Sequence, residues 1–142
     1  MPKRSADATW NGGLKAGNGT MNSARGGINA PYSFPSRFEE GSGLSPEDLI
    51  AAAHAGCYSM AFAATLEKNG FAPESITTTA EVTLEPVDGA PTISKIHLTT
   101  RGRVAGIDGA KFQEQAEDAK KNCPVSRLYK GAEITLDATL ES

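Results

Sequence analysis

LSPEDLIAAAHAGCYSMAFAATLEKNGF, residues 44–71, is the longest run of strong helix formers in the chain. It carries its own start and stop. Ser45 suits an N-cap, Pro46 the first helical position, and Asp48 stands three residues on, as the second half of a capping box. Glu47 and Asp48 lie where the positive end of the helix dipole favours carboxylates. Gly70, behind Lys68 and Asn69, supplies the stop. Leu49, Ala53, Cys57, Met60 and Ala64 recur at spacings of three and four, which puts them on one helical face. Small residues at 51–53, 55, 56, 61, 63 and 64 let another helix approach closely.

Upstream, alternations at 8–11 and 14–21 flank Gly12-Gly13 and read as an edge hairpin. Residues 23–36 hold two prolines and two glycines and read as a long loop. Ser36 to Glu40 reads as a short strand that brings Arg37 toward the interior. Downstream of Pro73 the period becomes two. Residues 76–85 and 92–104 form a hairpin across VDGAP. Asp108 caps a second helix over 109–122, with Phe112, Ala116 and Ala119 at helical spacing. Cys123, just before Pro124, sits at the start of a short further turn of helix. Residues 133–140 alternate as a last strand. The order predicts an α+β fold, with a largely antiparallel sheet, a long central helix and a second helix.

At 142 residues the chain reads as a single domain, 1–142. Its apolar content of 39% is modest, which leaves part of the core for a partner subunit to complete. A net charge of −3 with scattered basic residues argues against nucleic acid. The amino-terminus lacks the apolar run of an export signal. The window 49–66 is short and Ala-rich for a membrane span. The expectation is a soluble, cytoplasmic protein without membrane contact, whose two cysteines are reduced thiols with chemistry to do.

Each candidate has a plain reading beside a chemical one. By helix pattern Cys57 is a small hydrophobe in a core. Cys123, at a helix start and flanked by Lys120, Lys121 and Arg127, looks the more ionised thiol by local electrostatics. His54, three residues before Cys57, suits either a base in a Cys–His pair or a helix histidine with a local hydrogen bond. Arg37 is an ordinary loop arginine and Glu47 a first-turn carboxylate. No CxxC and no Cys/His spacing suits a structural metal, and the glycines form no phosphate loop, so no cofactor is expected.

A resemblance alters these weights. SPEDLIAAAHAGCYSM, followed 66 positions after its cysteine by the cysteine of NCPVSR, resembles the OsmC/Ohr family of thiol peroxidases. The wording HAGCYSM and CPVS resembles its OsmC branch. The likeness extends to the amino-terminal WNGGLKAGNGT, the YSFPSRFE segment, TTTAEVTLE and EITLDATL, so it spans nearly the whole chain. One departure is Gly56, where the family commonly has Ala. The resemblance implies an interlocked homodimer that reduces organic hydroperoxides in stress defence. It implies Cys57 as the peroxidatic cysteine and Cys123 as the resolving one. It also implies Arg37 as the cation that holds the thiolate, and Glu47 as the carboxylate that orients Arg37. It implies, too, an external thiol reductant, such as a dithiol on a lipoylated protein or a thioredoxin, or a small thiol.

Two rivals remain open at this point. One is a non-enzymatic stress or small-molecule binding protein with inert thiols. The other is a cysteine hydrolase or acyltransferase using Cys57 and His54. The implied site also poses a geometric difficulty. Ten residues of straight helix separate Glu47 from Cys57 by about 15 Å along the axis. Glu47 joins the site only if the helix breaks, if Arg37 bridges the gap, or if one group comes from the other chain.

Overall fold

The computed structural model describes residues 2–141. It divides into two compact units, Met1–Leu49 and Ile50–Ser142, and its elements make an α+β fold.

The first unit is built on a three-stranded antiparallel sheet, β1 (Ala6–Asn11), β2 (Asn18–Ser23) and β3 (Asn29–Tyr32), in that order. The expected hairpin is present, and the segment read as loop supplies its third strand. Gly19 is the cross-strand partner of both Trp10 on β1 and Tyr32 on β3. The two rings meet over it with centroids 5.2 Å apart. A Cβ at Gly19 would lie 2.8 Å from each ring, so only glycine fits beneath them.

The strand expected over 36–40 is instead a helix, α1 (Phe34–Phe38). Local chemistry explains the difference. Ser33 caps the helix, the Ser33 and Ser36 side chains bond each other's backbone N–H, and Pro35 fits the first turn. These cues outweigh the β-like look of SRFEE. Arg37, expected to turn inward, keeps 37% of its side chain exposed.

The long helix, α2, runs unbroken over Pro46–Lys68. Its capping box forms as expected: Asp48 N–H donates to Ser45 Oγ at 3.2 Å, and Ser45 N–H to Asp48 Oδ2 at 2.7 Å. At 23 residues it is long and apolar enough, by length and composition, to cross a membrane, contrary to the reading of its 49–66 window as too short. Within the second unit it serves as a core helix, since Tyr58, Phe62 and Leu66 are fully buried. The buried face is therefore His54, Tyr58, Phe62 and Leu66. The face drawn through Leu49, Ala53, Cys57, Met60 and Ala64 is not that one, and Met60 is 76% exposed. Alanine on every side of this helix leaves its apolar periodicity too weak to choose a face.

The second unit completes itself around that face. The hairpin β4 (Ser75–Val87) and β5 (Ala90–Arg103) turns at Asp88-Gly89, both with positive φ, as a two-residue turn requires. Next come α3 (Gly109–Asn122), capped by Asp108, and α4 (Pro124–Leu128). The last strand, β6 (Glu133–Glu141), returns parallel to β5, from Lys95↔Glu133 to Arg103↔Glu141. This is the one parallel pairing among the described strands, and it needs the α3–α4 crossover. Ile96 and Leu98 of β5 and Phe112, Ala116 and Ala119 of α3 close the core with α2. Tyr58 Oη donates to the Ala116 carbonyl at 3.0 Å, joining α2 to α3.

Candidate active site

Two groupings of side chains emerge, one in each unit. In the second unit Cys57, midway along α2, meets Cys123, which ends α3 and begins α4. Both are free thiols. The Cys123 thiol donates to Cys57 Sγ at 3.1 Å. Cys123 is wholly buried, whereas Cys57 is only partly so. The placement follows from local chemistry. Pro124 cannot continue the α3 hydrogen-bond ladder but fits the first turn of a new helix. The chain therefore breaks direction at Cys123 and presses that thiol inward.

Burial pushes the Cys57 thiol up from its ordinary value, Cys123 pushes it the same way, and the backbone N–H of Val125 pulls it down. Cys123 raises it both through the thiol–thiol hydrogen bond and as a second ionisable group. Two sulfurs in contact hold at most one negative charge between them, so the net direction is upward and burial leads it.

The Val125 N–H at the start of α4 acts on Cys57. Lys120 is engaged with Glu117 at 3.2 Å, while Lys121 and Arg127 stay at the surface. Two of the flanking cations thus face solvent and the third a carboxylate.

His54 is not paired with Cys57. Its Nε2 lies 2.7 Å from Ser126 Oγ, and the ring stands edge-on to Tyr129 with centroids 5.6 Å apart. Its Nδ1 is buried without a hydrogen-bond partner among the described residues. Burial lowers its pKa. A base that turns to a serine and away from the sulfur does not make the Cys–His dyad of a hydrolase. The sequence reading passed over Ser126 and Tyr129. Ser126 stands three residues after Cys123, as His54 stands three before Cys57, and that matched spacing was its available signal.

In the first unit, Arg37 of α1 and Glu47 in the first turn of α2 form a two-point ion pair. Arg37 Nε donates to Glu47 Oε1 at 3.0 Å and Nη2 to Oε2 at 3.1 Å. Glu47 is nearly buried, and the Phe38 ring lies 5.3 Å from the guanidinium carbon. Arg37 and Phe38 also line a cavity of about 210 Å³ with Trp10, Leu14, Tyr32 and Phe34. That wall is mainly apolar, and its cation comes from Arg37. Because α2 is continuous through Glu47 and Cys57, a helix break is excluded as the way Glu47 reaches the thiol. No group of three or more His, Cys, Asp or Glu suited to a metal occurs among the described residues.

Residues 39–138 match the family described as OsmC-like protein. Over 140 residues, 98% of this chain and 97% of the relative, the sequence is 46% identical to Peroxiredoxin OsmC of Escherichia coli (strain K12). It is 29% identical over 101 residues, 69% of this chain and 70% of the relative, to Organic hydroperoxide resistance protein-like 1 of Staphylococcus epidermidis. Among solved structures, the crystal structure of an OsmC like protein from Mycoplasma pneumoniae shares the fold with a TM-score of 0.77 at 15% identity, over 99% of both chains. The family match covers well over half the chain, and the 46% identity runs almost end to end, so this chain belongs to the OsmC-like protein family.

Proposed function

We propose that this chain is a cysteine-based peroxidase of stress defence that reduces organic hydroperoxides to alcohols, with Cys57 as the attacking thiol and Cys123 as the resolving one. The observation that carries the reading is the 3.1 Å contact between the two sulfurs, with only the Cys57 side reached by solvent.

The Cys57 thiolate attacks the terminal peroxide oxygen. The O–O bond breaks, the alkoxide leaves and takes a proton to become the alcohol, and Cys57 becomes a sulfenic acid. Cys123 then attacks the Cys57 sulfur. An S–S bond replaces the S–O bond, and the hydroxyl leaves as water with the Cys123 proton. An external dithiol reduces the disulfide and is itself oxidised.

Arg37, held by Glu47, supplies the cation that opposes the upward push of burial on Cys57. In the homodimer, Arg37 and Glu47 of one subunit serve Cys57 of the other, which answers the 15 Å axial difficulty without breaking α2. The apolar cavity beside Arg37 accepts the organic substituent, and this favours alkyl or lipid hydroperoxides over hydrogen peroxide. The enzyme works in the cytoplasm, where reduced dithiols are available.

The test is one equivalent of cumene hydroperoxide added to the reduced protein, followed by peptide mass spectrometry. An intramolecular disulfide between Cys57 and Cys123 is expected, together with loss of peroxide consumption in Cys57→Ser. An untouched Cys57 overturns the proposal and leaves the binding-protein reading in its place.

A further inference from the structure

Two pairs of side chains join α2 to α4, and they share one register. Cys57 meets Cys123, while three residues earlier in α2 His54 meets Ser126, three residues later in α4. The two helices therefore run antiparallel at this contact, with the His–Ser pair one turn away from the thiols. His54 is fully buried and Ser126 nearly so. Since Nδ1 has no partner among the described residues, the proton belongs on Nε2: a bare buried acceptor costs less than a bare buried donor. Nε2 then donates to Ser126 Oγ.

The short helix needs such a tie. α4 has five residues, Cys123 gives it no side-chain cap, and its Leu128 side chain is largely exposed. A helix of that length does not hold itself. Yet it begins at Cys123 and positions the sulfur that must reach a sulfenic acid on Cys57.

We propose that His54 is a positioning residue for disulfide formation: by bonding Ser126 it fixes α4 against α2 and keeps Cys123 Sγ in line with Cys57 Sγ. This rests on the peroxidase reading. It assigns His54 to the second chemical step and gives it no part in the first. In that step Cys123 loses its proton, its sulfur bonds to the Cys57 sulfur, and the S–O bond of the sulfenic acid breaks to release water.

The experiment is a single turnover of the reduced full-length protein with cumene hydroperoxide. Sulfenic acid at Cys57 is trapped with a dimedone-type reagent, and disulfide is followed by mass. In Ser126→Ala and His54→Gln, sulfenic acid forms at close to the wild-type rate. Disulfide formation slows by roughly ten- to a hundredfold, the scale of a small misplacement of reacting atoms. Trapped sulfenic acid accumulates accordingly. The His54→Gln/Ser126→Ala double variant is no slower than the slower single one, because both remove the same tie. Ser126→Thr, which keeps the hydroxyl, restores the rate. Disulfide formation at the wild-type rate in both single variants overturns the inference, as does equal slowing of both steps. Absence of any sulfenic acid or disulfide in the wild-type protein instead overturns the peroxidase reading, so the two failures are distinct.

Discussion

Glu47 grips Arg37 at two points, Nε to Oε1 at 3.0 Å and Nη2 to Oε2 at 3.1 Å, with the carboxylate nearly buried and the guanidinium more than a third exposed. Phe38 covers one face of the fork and Nη1 takes no part in the grip. A cation fixed this way is aimed, and lysine cannot copy the aim, because an ammonium has no planar fork. Arg37→Lys is expected to slow sulfenic acid formation and to move its pH–rate profile to higher pH. Burial, aided by Cys123, holds Cys57 above its ordinary value, and on the proposed role of Arg37 a lysine would oppose that less. Stopped-flow peroxide reduction across pH checks this, and an unmoved profile counts against the role given to Arg37.

If the site is shared between the subunits of a homodimer, as proposed, two dead variants are complementary. Cys57→Ser and Arg37→Ala homodimers are each expected to be inactive. Mixed dimers hold one intact site if Arg37 serves the other subunit's Cys57, and none if it serves its own. Recovery of activity after co-refolding the two variants supports the shared site. Continued inactivity of a mixed dimer shown to have formed assigns the site to one chain.

Burial lowers the pKa of His54 from 6.5, so the folded protein refuses a proton that the unfolded chain accepts. Between the lowered value and 6.5 the unfolded state binds more protons, and stability rises with pH across that window. The contribution is complete above 6.5 and is lost as pH falls through the window to the folded value. The gap in melting temperature between the wild-type protein and His54→Gln should therefore change across this range. A constant gap would show that His54 charges as freely in the folded state as in the unfolded one.

Gly19→Ala places a methyl group against both rings that cover it. Overpacking of this kind costs about 1–3 kcal/mol. Trp10 is the chain's one tryptophan, so its fluorescence reports the displacement directly. A lowered melting temperature with shifted emission is expected. Unchanged emission would mean that the rings do not lie over Gly19.

Much of the fold was legible because local chemistry and tertiary outcome agree. Ser45 with Asp48, Asp108, and Asp88-Gly89 each fix a cap or turn without help from distant residues. What was not legible depended on partners far away in sequence. Nothing in EITLDATL says that it pairs parallel to β5, since strand direction is set by the crossover. Alanine around α2 hid the choice of His54, Tyr58, Phe62 and Leu66 as its buried face. In the site, the residue types and motifs named Cys57, Cys123, Arg37 and Glu47 through resemblance. What acts on each thiol, the Val125 amide near Cys57 and the surface position of Lys121 and Arg127, appears only in three dimensions.

In the proposed cycle, the unequal burial of the two sulfurs would give the regenerating half a direction. A dithiol approaching a Cys57–Cys123 disulfide would meet one partly exposed sulfur and one wholly enclosed. Exchange depends on which sulfur the nucleophile can reach. The mixed disulfide should therefore form on Cys57, and Cys123 should depart as the leaving thiol into the core. A reductant stripped of its own second cysteine should be captured on Cys57, and capture on Cys123 would count against this direction. In that cycle the enclosed thiol would act without meeting an external molecule, and substrate and reductant would use the same door in turn.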